Sequence, residues 1–134
     1  MAKVKRLPPR DKVKPSDCWD LGSLFPGDEA WETAFTQWEK RIDEYQQFQG
    51  QLDKSADVLA ACLQFDLDVD RQADRLGTYA FLKTAEDTTN STYQRMQGRF
   101  TNAASRAAQA ASYIRPEILA IPSAKMKQFM ADER

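Results

Sequence analysis

The sequence predicts an all-α protein, an antiparallel bundle of three long helices followed by a short C-terminal helical segment. Apolar side chains recur at alternating steps of three and four residues over three separate stretches, which is the spacing of amphipathic helices. Turn-forming and capping residues separate these stretches, with Gly50 after the first and Asn90 before the third. Helices of about 20–28 residues are roughly 30–40 Å long, and short connectors favour an up-down-up arrangement.

The first helix is predicted over 28–48, after the turn-rich segment 16–27. The residues that recur at steps of four and three along its predicted seam are Trp31, Phe35, Trp38, Ile42, Tyr45 and Gln49. Acidic residues in its first turn suit the positive end of the helix dipole. Gly50 is the predicted C-terminal stop, and the aromatic seam is the predicted centre of the core.

The second helix is predicted over 56–83 with Ser55 as its N-cap. The run 65–70 alternates apolar residues with aspartate and could be a strand. Aspartate is poor in strands, however, and both flanks are helical, so a helix is predicted here too. Gly77 is expected to let another helix approach closely.

The third helix is predicted to follow the connector 84–90, where Thr88, Thr89 and Asn90 compete for the N-cap position. The small residues over 103–111 predict close contact with the first two helices. The pair Arg115-Pro116 is expected to end this helix. A short turn or helix over 117–121 and a last segment through Met130 complete the prediction.

The composition excludes several classes of function. The 134 residues include no histidine, so a His-Glu-x-x-His zinc site, a Ser-His-Asp triad and a Cys-His pair are all impossible within this chain. The hydrophobic share of 42% and the charged share of 29% are typical of a globular protein. A net charge of −1 provides no overall field for binding nucleic acid.

The ends of the chain and its hydropathy predict its location. Basic residues and prolines dominate 1–15, which we expect to be a flexible basic lead, and the helical domain is expected over 16–134. No apolar run approaches the ~20 residues that a bilayer requires, and none follows the basic start as a signal peptide would need. We therefore expect a cytoplasmic protein without membrane contact.

The residues with reactive side chains do not form a convincing site. Cys62 is expected to be a small buried apolar residue, and Cys18, in a turn, would lack a histidine base. Asp66, Asp68 and Asp70 alternate as calcium ligands do, but the glycine and final glutamate of such a loop are missing. On a helix, moreover, Asp68 would point away from the other two.

Three further features carry no predicted chemistry. Paired carboxylates for acid–base catalysis would have to face the core, but the acidic residues lie outside the apolar stripes. The triplet Asn90-Ser91-Thr92 is interpreted as a helix cap rather than a glycosylation site. Trp19 lies outside every predicted helix and must dock somewhere. The sequence therefore predicts no catalytic, cofactor-binding or metal-binding residue in this chain.

Three collinear segments resemble the oligoendopeptidase F family. They are Trp19-Asp20-Leu21-Gly22-Ser23-Leu24-Phe25-Pro26 with Asp28-Glu29-Ala30-Trp31, then Tyr79-Ala80-Phe81-Leu82 with Glu86-Asp87-Thr88-Thr89-Asn90 and Tyr93, and finally Ile114-Arg115-Pro116-Glu117-Ile118-Leu119-Ala120-Ile121 with Phe129-Met130-Ala131-Asp132. The resemblance spans 17–134 and implies a zinc metallopeptidase of the thimet oligopeptidase-like group that cuts oligopeptides inside an enclosed chamber. The His-Glu-x-x-His helix and the further glutamate of that family have no counterpart here.

The resemblance therefore implies the N-terminal, non-catalytic helical lobe of such a peptidase. Its expected partners are the catalytic lobe, which would hold the zinc, and the oligopeptide substrate, whose channel the lobe would wall. The main alternative is a stand-alone helical module that binds a partner helix, and a carboxylate-based enzyme is a third. An exposed apolar patch is expected at Ile118–Ile121 and at Met126, Phe129 and Met130, with self-association of the isolated lobe as its consequence.

Overall fold

The computed structural model describes residues 6–132, and these residues form helices and turns without any strand. The α-helices are α1 (Asp28–Arg41), α2 (Ala56–Glu86), α3 (Ser91–Ala111), α4 (Ile114–Ala120) and α5 (Ser123–Met130). Single 3-10 turns at Arg10–Lys12, Pro15–Asp17 and Leu21–Ser23 precede them. The all-helical class predicted from the sequence is confirmed.

The first helix differs from the prediction in its second half. The α-helical hydrogen bonding ends at Arg41, and the chain continues as a 3-10 helix over Ile42–Gln47. Apolar residues at steps of three and four suit both kinds of helix, so the sequence pattern did not reveal the change. Gly50 has a φ of 73°, in the left-handed region that favours glycine, and the predicted stop at this residue is confirmed.

The second helix begins as predicted and ends three residues later than predicted. The hydroxyl of Ser55 accepts a hydrogen bond from the amide of Val58 at 3.2 Å, which confirms the N-cap. The run 65–70 is helical, so the strand alternative is wrong. A side-chain hydrogen bond supports the last turns of this helix, because the hydroxyl of Thr84 donates to the carbonyl oxygen of Ala80 at 2.9 Å.

The third helix begins at the predicted cap but ends before the predicted stop. The side-chain oxygen of Asn90 accepts hydrogen bonds from the amides of Thr92 at 3.0 Å and Tyr93 at 3.3 Å. The prediction that Arg115-Pro116 ends this helix is wrong, because α3 ends at Ala111 and both residues lie inside α4. Proline is tolerated in the first turn of a helix, where its missing N–H would have no partner in the helix.

The predicted aromatic seam of the first helix is the centre of the core. Trp31, Phe35 and Trp38 are each at most 2% exposed. The indole N–H of Trp31 donates to the carbonyl oxygen of Leu76 at 2.9 Å, and that of Trp38 donates to the carbonyl oxygen of Val69 at 3.0 Å. These bonds satisfy the one polar atom of each ring, so burial carries no penalty for an unpaired donor.

Contacts between the helices follow a regular order along the chain. Between α1 and α2 the partners run in opposite directions, whereas between α1 and α3 they run in the same direction. The α1–α2 pairs are Trp31–Leu76 and Trp38–Val69, and the α1–α3 pairs are Glu32–Arg99 and Glu39–Arg106. Aromatic anchors thus join α1 to α2, and ion pairs join α1 to α3.

Gly77 is a point of close approach between α2 and α3. A Cβ atom at this position would lie 2.6 Å from Cε1 and 2.8 Å from Cζ of the Phe100 ring. Phe100 also stacks on Trp38, with 5.7 Å between the ring centroids, so the ring has little freedom to move away. The close approach expected from the sequence is confirmed.

Replacing Gly77 by alanine is therefore expected to destabilise the protein. Alanine is about 1 kcal/mol better than glycine in a helix, but the overlap with Phe100 should cost roughly 1–3 kcal/mol. Gly98→Ala is the matched control, because Gly98 is also helical and no atom lies within 4 Å of its added Cβ. Thermal melts should show a lower midpoint for Gly77→Ala and an equal or higher one for Gly98→Ala, and a stabilised Gly77→Ala variant would contradict the packing.

Part of the predicted basic lead contacts the helical domain. Residues 1–5 lie outside the described residues. The guanidinium of Arg10 lies 2.6 Å from the carboxylate of Glu86, at the end of α2, and donates a hydrogen bond to the sulfur of Cys18 at 3.1 Å. The division into a lead over 1–15 and a domain over 16–134 stays a prediction.

Candidate functional site

A groove between α1 and α3 is the most chemically distinctive surface of the described residues. We call it the arginine groove, and it has a volume of about 450 Å³. Its lining consists of Phe35, Glu39, Arg95, Gly98, Arg99, Asn102 and Arg106. The four polar residues from α3 lie within about 60° of one another around the helix, because they are spaced four, three and four residues apart.

Two ion pairs fix two of the three arginines of the groove. Arg99 binds Glu32 with an N–O distance of 2.7 Å, and Arg106 binds Glu39. The guanidinium of Arg99 also lies 4.9 Å from the centroid of the Phe35 ring, which it covers. The hydrogen bond from Arg99 to Glu32 raises the pKa of this arginine above its usual value, against the smaller opposing effect of burial. Arg99 is therefore permanently charged and held in position.

Arg95 is the third arginine, and within 6–132 no carboxylate forms an ion pair with it. Between Asp87 and Glu117 the sequence contains four arginines and no acidic residue. Positive charge thus accumulates along α3, and Glu32 and Glu39 neutralise two of the three arginines that line the groove. One guanidinium charge remains without a counterion from the described part of the chain.

A second, shallower groove of about 580 Å³ runs along the outer side of α3. We call it the amide groove, and its lining consists of Gln94, Gln97, Gly98, Thr101, Asn102 and Ser105. All of these side chains are uncharged, and most can donate and accept hydrogen bonds. Gly98 and Asn102 line both grooves, so the two form one continuous surface.

The two cysteines lack the surroundings of a nucleophile. Cys62 is fully buried, and burial raises the pKa of its thiol, so the thiol stays protonated at neutral pH. The sulfur of Cys18 accepts a hydrogen bond from Arg10 and donates one to the carbonyl oxygen of Lys14 at 3.3 Å. The sequence prediction that Cys62 is a buried apolar residue is confirmed.

The three alternating aspartates of α2 differ in their surroundings, and two of them have separate hydrogen-bond partners. Asp66 accepts a hydrogen bond from the Tyr45 hydroxyl at 2.7 Å, whereas Asp68 accepts one from Gln64 at 3.0 Å. Burial, together with the negative charges of Asp66 and Asp74, raises the pKa of Asp70 above its usual range. Across 6–132 no three carboxylate or cysteine side chains converge as a metal site would require.

Asp28, at the start of α1, binds two tyrosines from other helices. Its two carboxylate oxygens accept hydrogen bonds from the hydroxyls of Tyr79 at 2.7 Å and Tyr93 at 3.0 Å. Burial, and secondly the bond to Asp28, raises the pKa of both tyrosines above the ordinary value of 10.0. This cluster joins the first three helices at one end.

The raised tyrosine pKa values predict a loss of stability in alkali. A group whose pKa is higher in the folded state contributes stability that is complete below the unfolded pKa, near 10, and that is lost as the pH rises above it. We expect the melting temperature to fall between about pH 10 and pH 12. The absorbance of tyrosinate should rise over the same interval. The Tyr79→Phe variant should lose less over this interval than the parent, and equal losses would contradict the assignment.

The apolar patch expected near the C-terminal end is only partly exposed. Leu119 is 76% exposed and Met130 is 80% exposed. Ile121, in contrast, is buried, so its inclusion in the patch was wrong, whereas Ile118, Met126 and Phe129 are partly buried against the core. Trp19 is 54% exposed, so the expectation that it docks is not met within the described residues.

The described residues contain neither a buried charge nor a membrane-spanning helix, and the grooves on α3 escaped sequence-based prediction. Among residues 6–132 no charged side chain is buried, and no helix is long and apolar enough to cross a membrane. The grooves on α3 were not predicted from the sequence. Their signal was available, however, as arginines at 95, 99 and 106 on one helical face within a segment that lacks acidic residues.

Comparisons with known proteins identify relatives over almost the whole chain. Oligopeptidase PepF of Bacillus subtilis is 37% identical over 131 residues, which are 98% of this chain and 20% of that protein. Group B oligopeptidase PepB of Streptococcus agalactiae is 28% identical over 123 residues, 92% of this chain and 20% of that protein. No protein-family model matches the sequence.

A solved structure agrees with these relatives. The crystal structure of oligoendopeptidase-F from Enterococcus faecium superposes with a TM-score of 0.73 at 27% identity, over 80% of this chain and 21% of that chain. The helical fold and the sequence thus define a relative of bacterial oligopeptidases. The resemblance to the oligoendopeptidase F family is confirmed, and the chain spans about one fifth of the length of these relatives.

Proposed function

We propose that this chain is the N-terminal, non-catalytic helical lobe of an oligoendopeptidase F-like zinc metallopeptidase that hydrolyses oligopeptides in the cytoplasm. The observation that carries the proposal is the match to Oligopeptidase PepF, which covers 98% of this chain but only 20% of its relative. The remaining four-fifths of such a protein would supply the catalytic lobe, which is the partner of this lobe.

The physical role of the lobe is to form a rigid wall of the substrate channel. The order of the contacts supports an antiparallel bundle of the three main helices, since partners run in opposite directions between α1 and α2 and in the same direction between α1 and α3. Buried aromatic rings and satisfied polar atoms make such a bundle stiff. A stiff wall restricts access by size and favours short peptides over folded proteins.

The donor set of this chain does not fit a catalytic zinc ion. Zinc in peptidases is bound by imidazole and carboxylate groups with one open position, and this sequence has no histidine. One of the two thiols is buried, and the other is engaged by Arg10 and Lys14. Zinc would therefore be held by the remainder of the parent protein.

A hydrolysis assay tests the non-catalytic role. The purified chain, supplied with zinc, should not cleave an internally quenched oligopeptide, whereas the Bacillus subtilis relative assayed in parallel is the positive control. The proposal would be contradicted by hydrolysis that a chelator abolishes. Such hydrolysis would also have to survive repeated purification and scale with the amount of this chain.

The alternative, a stand-alone module that binds a partner helix, is favoured by apolar residues on the outside of α2. Leu63, Leu67 and Phe81 lie on one face of this helix and are 39%, 50% and 57% exposed. Exposed apolar surface of this kind promotes association. Both functions therefore predict self-association of the isolated chain, but through different residues.

Light scattering over a wide concentration range separates the two functions. We expect concentration-dependent oligomers whose mass falls in a Leu119→Ser, Met130→Ser double variant, because these side chains are the most exposed apolar ones among the last helices. Leu7→Ser is the matched control, since Leu7 is 90% exposed but precedes all the helices. Oligomers that only Leu67→Ser and Phe81→Ser disrupt would favour the stand-alone module.

A further inference from the structure

We propose that the arginine groove and the amide groove together bind an extended peptide, with Arg95 binding the C-terminal carboxylate of that peptide. The inference rests on the proposed function, because it takes the ligand of this surface to be the oligopeptide substrate. It goes further in assigning a peptide-binding site, and a preference for a free carboxyl terminus, to a lobe that holds no catalytic residue.

The first step is the charge of the arginine groove. Its lining contains three guanidinium groups and one carboxylate, and Glu32 adds a second carboxylate through its bond to Arg99. One positive charge is therefore uncompensated, and Arg95 is the arginine that lacks an ion pair in the described residues. A planar guanidinium binds a carboxylate through two parallel hydrogen bonds, which makes a single anionic group the matching ligand.

The second step is the rigidity of the site. The ion pairs to α1 hold Arg99 and Arg106 in place, and the ring of Phe35 supports the guanidinium of Arg99 from below. Arg95 lies one helical turn before Arg99, at about 6 Å along the axis. An anion at Arg95 thus meets neighbouring side chains that are already ordered, so the loss of side-chain entropy on binding is confined mainly to Arg95 itself.

The third step is the neutral surface next to the arginines. The amide groove presents amide and hydroxyl groups from Gln94, Gln97, Thr101 and Ser105, which can pair with the N–H and C=O groups of a peptide main chain. Contacts to the main chain do not distinguish peptide side chains, so these groups would bind peptides of different sequence alike. Phosphate or nucleic acid would instead call for more than one uncompensated cation along the groove.

The fourth step is the glycine at which the two grooves meet. Gly98 is exposed in the middle of α3, where glycine costs about 1 kcal/mol relative to alanine. No atom lies within 4 Å of the position that its Cβ would occupy, so packing inside this chain does not explain the glycine. The missing side chain leaves room for a main chain to cross α3 closely between the two grooves.

The test uses the purified chain and two peptides that differ only at the carboxyl terminus. N-acetyl-tetraalanine with a free carboxylate and the same peptide as its carboxamide are titrated while amide shifts are followed by NMR. We expect the free acid to shift resonances of 94–106 and to bind about tenfold more tightly than the carboxamide, the difference that one charge-assisted pair supplies. Acetate alone, added in a third titration, should bind more weakly than the free acid peptide.

Three variants assign the effect to these residues. Arg95→Gln should remove the preference for the free acid, and Gly98→Leu should weaken both peptides because it fills the meeting point while favouring the helix. Arg71→Gln is the control, since Arg71 is an exposed arginine of α2 whose partner is Asp68. Its binding should equal that of the parent.

The outcomes that overturn the inference differ from those that overturn the proposed function. The peptide site would be rejected if the acid and the carboxamide bind equally, or if the Arg95→Gln variant keeps the preference for the acid. It would also be rejected if acetate binds as tightly as the peptide, or if no binding is seen at 10 mM peptide, a limit that corresponds to a binding free energy of about 3 kcal/mol. The proposed function is rejected instead if the chain fails to associate with the rest of a peptidase. A lobe that associates normally and ignores peptides would refute this inference alone.

Discussion

Replacing Trp38 by alanine is expected to lower the free energy of unfolding by roughly 3–5 kcal/mol. Trp38 is 1% exposed, its ring stacks on Phe100, and its N–H donates to the carbonyl oxygen of Val69. The substitution removes the apolar contacts, leaves a cavity between three helices and leaves that carbonyl oxygen without its side-chain donor. Circular dichroism melts and denaturant titrations measure the loss.

Trp19→Ala is the matched control for this substitution. It removes the same side chain from a position that is 54% exposed, so its effect should be clearly smaller, at about 1–2 kcal/mol. Similar losses in both variants would show that Trp19 also packs into the core. An unchanged midpoint for Trp38→Ala would contradict the burial of the aromatic seam.

Replacing Asp28 by alanine is expected to cost about 3–4 kcal/mol. The carboxylate accepts hydrogen bonds from Tyr79 and Tyr93, and bonds to a charged acceptor contribute on the order of 1.5–3 kcal/mol each; the lower value applies here because Asp28 is only partly buried and water can replace part of each bond. Asp28 also lies in the first turn of α1, where negative charge is favoured by a further 0.3–1 kcal/mol or so.

Glu29→Ala separates these two contributions. Glu29 shares the first turn of α1 and carries the same charge, but it is exposed and binds neither tyrosine. It should lose only the dipole contribution, below about 1 kcal/mol. Equal losses for Asp28→Ala and Glu29→Ala in denaturant titrations would mean that the tyrosine bonds add nothing to stability.

The features that local sequence determines were predictable. The spacing of Trp31, Phe35 and Trp38 defined the core face of α1 because a helix repeats every 3.6 residues. Ser55 and Asn90 were identifiable as N-caps because their side-chain oxygens reach the free amides of the next turn. Gly77 was recognisable as a contact point because only a small residue admits a ring at that distance.

Features that depend on contacts between distant segments were not predictable. The change from α- to 3-10 helix after Arg41 leaves the apolar spacing intact, and the early end of α3 places Pro116 where a helix tolerates it. The arginine groove depends on Glu32 and Glu39 facing Arg99 and Arg106 across 67 residues of chain. A pattern read within one helix contains no information about that pairing.

The most direct test of the proposed lobe is reconstitution. The segment matching this chain is deleted from the Bacillus subtilis relative, the two proteins are mixed, and peptide hydrolysis and complex mass are measured together. We expect a one-to-one complex that cleaves short peptides, excludes a folded protein substrate and regains activity that the deleted enzyme lacks. Full activity of the truncated enzyme without this chain would contradict the account. So would a truncated enzyme that is folded yet neither binds the chain nor gains activity from it.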